Sequence, residues 1–353
     1  MTRKFLFNFA ICTLQFALCN AAVAQWIEVS PTGFSRDGKP FYAWGFNYDR
    51  NDDSKLLEDH WVQRWPEISG DFSEMKQLGA NVVRIHLQTA KFMDSPDRPN
   101  EQNLKQLSKL VDLAEKNGLY LDLTGLGCYR KEDLPPWFNA LSEQDRWHVQ
   151  ANFWNAIAKV CADRSTVLAY DLINEPIVPG DKPETEWLAG NLGGFWFCQR
   201  ICLDLKGRDR IDVARDWARQ MITAIRTHDT RHPITIGLLP MTGAFPIDKL
   251  TGDLDYVSVH IYPEKGKVPQ AIAILDQFHK VCAKPIVIEE TFPLACGADD
   301  LKKFILQARP KTTGCIGFYW GKTPAKIRAE KKPSMADAFV LSWLDLFQEL
   351  TPR

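Results

Sequence analysis

The chain has 353 residues, with 43 Lys and Arg balanced by 44 Asp and Glu for a net charge of −1. That balance leaves no basic face for nucleic acid or for an anionic membrane surface, so neither is expected as a partner. Residues 25–353 are enough for one large core, and no Pro/Gly/Ser-rich linker or low-complexity tract divides them.

Residues 1–24 read as a targeting segment. Arg3 and Lys4 supply a positive start, residues 5–19 are largely apolar, and Ala22-Val23-Ala24 fits a small-x-small cleavage pattern. Asn8, Thr13 and Gln15 interrupt the apolar run, which is too short to span a bilayer. Cleavage near Gln25 and a secreted or periplasmic protein are expected, as a monomer with a single domain over 25–353.

From Trp26 onward, strand and helix signals alternate. Residues 26–47 form a hairpin with a turn at Asp37-Gly38-Lys39-Pro40, leading into a first strand over 41–47. A helix over 70–78 precedes strand two at 80–87. Leu104, Leu107, Leu110, Val111 and Ala114 mark a helix over 103–117 that Gly118 closes. Strand three covers 119–123 and a helix covers 142–163. Strand four is Tyr170-Asp171-Leu172-Ile173-Asn174-Glu175-Pro176, an apolar run that follows Val167 and Leu168 and ends in the polar Asn174-Glu175-Pro176. Residues 177–209 are too long for an ordinary connection, and their Trp187, Phe195, Trp196 and Phe197 suggest a cleft wall or a self-packed loop. Then come a helix (211–228), strands five (233–239) and six (255–262), a helix (268–282), strand seven (284–291), a helix (299–309), strand eight (314–321) and a last helix (334–350). This order predicts an α/β fold, a (β/α)8 TIM barrel with a short N-terminal β-hairpin.

Polar residues recur where these strands end: Asn47, Arg84, Asn174, Glu175, His260, Tyr262, Glu290 and Trp320. In a parallel barrel such ends share one face, where catalytic groups collect. A Glu before Pro at a strand end is by itself more often a helix start. Two strands that each deliver a Glu to one rim match two-carboxylate glycoside chemistry instead. Retention requires carboxyl groups about 5–5.5 Å apart, one protonated and one ionised. Arg84 and the Tyr262 hydroxyl are the groups that would hold one of them ionised. Seven Cys follow residue 24 without zinc-ligand spacing; Cys198 and Cys202 could pair, while buried thiols suit most of them. Of the 12 Trp, those at 137, 147, 154, 217 and 343 suit packing, whereas Trp187 and Trp196 divide evenly between packing and sugar contact.

These motifs, with Lys284-Pro285 six residues ahead of Glu290 and Gly45-Phe46-Asn47 at the start, resemble clan A glycoside hydrolases, most closely family 5, the cellulase family. The resemblance implies Glu175 as acid/base, Glu290 as nucleophile rather than Glu289, and Asn174 on the sugar 2-hydroxyl. It further implies Arg84 and Tyr262 bracketing the nucleophile, with Asn47 and His260 lining the site and Trp320 beneath the sugar. No metal or cofactor is implied. The substrate would be a β-linked glycan, glucan or mannan, with β-glucan placed first because it is common among such proteins. A transglycosylase would use the same residues, and a glycan-binding barrel without catalysis is the rival of another class. A metal-dependent hydrolase would need ligands on early strands, and none stand there. One departure from the family pattern is Thr124, where members often carry His after strand three.

Overall fold

The computed structural model describes residues 25–352, so the targeting segment lies outside the described residues. Strands Ala43–Asn47, Val82–Gln88, Tyr120–Gly127 and Val167–Asn174 pair in parallel with their successors in the chain. Ile234–Leu238, Val257–His260, Ile286–Glu290 and Gly314–Phe318 continue the series and close it back on the first into a barrel. The runs of Val, Ile and Leu that mark these segments are buried almost throughout, as parallel strands covered on both faces require.

Helices surround the barrel where local signals start and stop them. Asn100 accepts a hydrogen bond from the Asn103 amide and begins Glu101–Asn117, while Gly118 takes the left-handed conformation that ends it. Ser334 and Asp337 form a reciprocal capping box at the head of Met335–Leu350. The helix predicted from residue 70 begins earlier, at Trp65, with Pro66 in its first turn; Gly70 is tolerated inside it because Ile68 and Phe72 on either side are buried.

Strict alternation breaks once. Between the fifth and sixth strands the chain makes only turns, punctuated by Pro240, Gly243, Pro246 and Gly252. Phe245, Ile247, Leu250 and Leu254 are buried there and do the covering that a helix would otherwise provide.

The N-terminal hairpin is a three-stranded antiparallel sheet, Ile27–Ser30, Gly33–Arg36 and Lys39–Phe41. It packs against the N-terminal end of the barrel. Phe34 meets Tyr256 edge-on at 5.0 Å and Phe41 meets Tyr120 at 5.3 Å, in one cluster with Val82, Val287 and Ile316. That end is therefore corked with apolar side chains, and polar groups gather at the other.

Candidate active site

Arg84, on the second strand, is the hub. It is fully buried, and Nη1 donates to Asn47 Oδ1 (2.8 Å) and Glu290 Oε1 (2.7 Å), while Nη2 donates to Asp171 Oδ2 (2.8 Å) and Asn174 Oδ1 (2.9 Å). Register explains the convergence, since Asn47 and Asp122 sit directly across from Arg84 on the neighbouring strands. Gly237 on the fifth strand leaves the space: a Cβ there would lie 3.0 Å from Arg84 Nη2 and 3.0 Å from Asp171 Oδ2. Burial opposes the guanidinium charge, but Glu289, Asp171 and Glu290 hold its pKa well above the usual value.

Glu290 presents both oxygens to fixed donors, Arg84 Nη1 at 2.7 Å and the Tyr262 hydroxyl at 2.6 Å. Glu175 stands opposite. Its backbone is left-handed, with φ 47°, a conformation that costs a non-glycine residue about 1–2 kcal/mol. The residue is pinned there by the hydrogen bond that its backbone N–H donates to the Gly237 carbonyl at 2.8 Å. Glu175 Oε1 lies 3.0 Å from His260 Nδ1, and Cys198 Sγ–H donates to Oε2 at 3.0 Å. An oxygen of Glu175, an oxygen of Glu290 and a ring nitrogen of His260 all fall within 4.8 Å of one another. The two carboxylates thus face each other closely enough for both to reach one anomeric centre. The same three residues could ligate a metal ion, but Arg84 already neutralises Glu290 and a proton on His260 would oppose a cation.

His260 does carry that proton. Burial disfavours its charge, yet the carboxylates of Glu290, Glu175 and Glu289 raise its pKa to about 10. Burial pushes Glu175 up, and the bonds from His260 and Cys198 more than offset it, so its pKa lies below the usual carboxylate value. The proton of this pair thus rests on the imidazole.

Glu289 does not compete with Glu290 for the cleft, though not for the reason strand alternation suggests. The pairing of the sixth and seventh strands slips by one residue between Val259–Ile288 and His260–Glu290. Both acids consequently turn into the barrel, at different depths. Glu289 is fully buried, accepts from Ser258 Oγ at 2.8 Å and lies 3.4 Å from Arg84 Nη2. Beneath it, burial and the charges of Glu289 and Asp171 raise the pKa of Asp122 well above normal.

A pocket of about 270 Å³ opens above these acids. Glu175, Glu290, Tyr262 and Trp320 line it; Asn47, Arg84, Asn174 and His260 lie beneath, shaping the four above. Asn47 spends both amide hydrogens on the carbonyls of Glu289 and Gly317, which leaves none for a ligand. Trp320 follows the eighth strand, which ends at Phe318 and not at 321. It stacks on Phe318 at 5.4 Å with 6° between the planes and meets Phe292 edge-on. His86 reaches the pocket from the second strand; Tyr129 Oη bonds its Nδ1, and burial with the Arg84 charge keeps the ring neutral. Thr124, the departure noted above, donates to Asp171 Oδ2 at 2.8 Å and so supports Arg84's partner.

The long 177–209 segment is indeed a wall. Pro176–Ile177, Leu188–Leu192 and Phe195–Arg200 form a small sheet, and Gly190, Phe197 and Cys198 from it face the pocket. Its tryptophans do not. Trp187 packs under Arg146 (4.4 Å) and Trp196 lies 5.9 Å from Lys131 Nζ, both away from the carboxylates. Trp154, Trp217 and Trp343 are wholly buried, as packing residues should be. All seven described cysteines, Cys198 and Cys202 included, are unpaired and buried. Sequence reasoning missed Asp49, Arg50, Cys198 and Phe292 at the pocket, because none lies in a strand-end motif.

The closed parallel barrel with two carboxylates facing each other at one rim is the architecture of a glycoside hydrolase family. The chain belongs to the cellulase family, glycosyl hydrolase family 5, which matches residues 36–270. It is similar to a rice (Oryza sativa subsp. japonica) protein described as a mannan endo-1,4-β-mannosidase 9, 25% identical over 293 residues, covering 70% of this chain and 63% of that one. It is also similar to mannan endo-1,4-β-mannosidase 2 of Arabidopsis thaliana, 23% identical, covering 71% of this chain and 62% of that one. The match therefore spans less than two thirds of these relatives' own length. Among solved structures, an endo-1,4-β-mannanase from Eisenia fetida superposes with a TM-score of 0.62 at 14% identity, covering 93% of this chain and 96% of that one, which shows the fold.

Proposed function

We propose that this protein is a retaining β-glycosidase acting on β-1,4-linked mannan, with Glu290 as nucleophile and Glu175 as acid/base. The observation that carries the reading is the opposite setting of two carboxylates within 4.8 Å. Arg84 and Tyr262 each hold one oxygen of Glu290 and aim it, whereas Glu175 is coupled to a protonated imidazole.

In the first step a Glu290 oxygen attacks the anomeric carbon, and the bond from that carbon to the glycosidic oxygen breaks. Glu175 delivers the proton to the departing oxygen, drawing on the proton that His260 holds 3.0 Å away. In the second step water attacks the same carbon, gives its proton to Glu175, and releases Glu290. Trp320 offers a flat apolar face to the sugar ring, and the pocket excludes water around the charges that develop.

Mannan is preferred to the β-glucan placed first on sequence because the curated relatives bear mannosidase names. No described helix is long and apolar enough to cross a membrane; we infer export by the 1–24 segment and action as a monomer. The reading is tested on a panel of β-mannan, β-glucan and xylan with wild type, Glu175→Gln and Glu290→Gln. Wild type should release sugar fastest from mannan, both variants should lose several orders of magnitude, and a 2-fluoro mannosyl label should sit on Glu290. A label on Glu289, or full activity in either variant, would refute the assignment.

A further inference from the structure

Asp49 and Arg50 have no part in the chemistry above, yet both line the pocket. They follow the first strand in a loop that is held rather than free. The Asp49 carbonyl accepts from the Leu57 amide at 3.1 Å, Arg50 pairs with Leu56 in an antiparallel bridge, and the Asn51 amide bonds the Lys55 carbonyl at 3.1 Å. Arg50 Nη1 donates to Asp49 Oδ2 at 2.9 Å.

The other carboxylate oxygen, Asp49 Oδ1, has no hydrogen-bond partner among the described residues, although the residue is only 2% exposed. A buried acceptor left unmade is costly, and a charged one more so, so its position beside a pocket points to a donor arriving with the ligand. Among the described residues Arg50 directs its one side-chain hydrogen bond to Asp49 and keeps further N–H groups for a ligand. A carboxylate acceptor next to a guanidinium donor matches two adjacent hydroxyls of a sugar, one donating and one accepting.

The same pair reaches across to the long segment's wall. The Arg50 guanidinium lies 4.9 Å from the Phe195 ring and 5.6 Å from Phe197, on the sheet that carries Cys198. The loop after the first strand is thereby joined to the wall beyond the fourth. A pocket of 270 Å³, at or below the lower end of the usual ligand range of about 300–1,000 Å³, takes a chain end more readily than a strand passing through.

We propose that Asp49 and Arg50 form a clamp for vicinal hydroxyls of the non-reducing terminal sugar, and that the protein therefore works from chain ends. This rests on the glycosidase reading but departs from the endo-action in its relatives' names. The test uses mannopentaose labelled at its reducing end, with wild type, Asp49→Asn and Arg50→Gln, alongside calorimetric binding of mannotriose to Glu290→Gln with and without Asp49→Asn. The expected result is a labelled chain that shortens by a constant step from the far end, and no cleavage when the terminal sugar is O-methylated. Asp49→Asn and Arg50→Gln should each lose roughly 10- to 100-fold in kcat/KM, mainly through KM. A terminal sugar lacking one of the clamped hydroxyls should lose as much with wild type and nothing further with Asp49→Asn, which a merely structural aspartate would not produce. Internal cleavage to mixed lengths, or variants equal to wild type, overturns the clamp and leaves the glycosidase reading intact. Mannotriose binding that Asp49→Asn abolishes, with no turnover by wild type, supports the clamp and overturns the glycosidase reading.

Discussion

His260 Nδ1 lies 3.0 Å from Glu175 Oε1, and the proton between them belongs to the imidazole. A fully buried histidine that stays charged to about pH 10 ties the stability of the fold to that proton.

The sign follows from linkage. The folded-state pKa of His260 is raised from 6.5 to about 10, so between those values the folded chain binds more protons than the unfolded one. The contribution is complete below pH 6.5 and is lost as pH rises through 10. Thermal melts should show a decline of a few kcal/mol over that window, and His260→Gln should lack that component. Equal pH dependence in both proteins would contradict the assigned proton.

Cys198→Ala removes the thiol that donates to Glu175 Oε2. The deprotonated carboxyl loses a stabilising bond, so the proton that His260 holds should shift toward Glu175 and the alkaline limb of the kcat/KM profile should move to higher pH. Gly190→Ala should disturb the same contact, because its Cβ would fall 2.5 Å from Cys198 Sγ at a position with φ 65°. An unmoved limb in both variants would separate Cys198 from the acid/base.

Gly237→Ala presses a methyl group against Arg84 and Asp171. We expect a folded protein with kcat lowered by about 10²-fold as the guanidinium shifts away from Glu290. Circular dichroism alongside kinetics checks both halves of that statement.

Trp320→Ala takes away the flat face beside the carboxylates while leaving Phe318 and Phe292 in place. KM should rise roughly tenfold with little change in melting temperature. A large fall in melting temperature would instead make Trp320 a structural residue.

The barrel was readable because each strand is a short apolar run with a breaker behind it, and the residues that end those runs converge by register. Glu175, Glu290, Arg84 and Tyr262 were legible for that reason. Asp49 and Arg50 were not, since their placement depends on the bridge to Leu56 and on rings some 145 residues onward. Cys198 was hidden because its contact with Glu175 follows from the pairing of Pro176 with Gln199, which no periodicity signals. The depth of Glu289 depends on a one-residue slip in strand pairing that local sequence does not mark.

The corked lower mouth has a consequence for the acids of the interior. With Phe34 and Phe41 filling one end, the fully buried Asp122, Asp171 and Glu289 lie between that apolar plug and the rim that carries Glu175 and Glu290. A sugar bound at that rim in the proposed glycosidase would thus lie directly above three acids that have only apolar side chains on their far side.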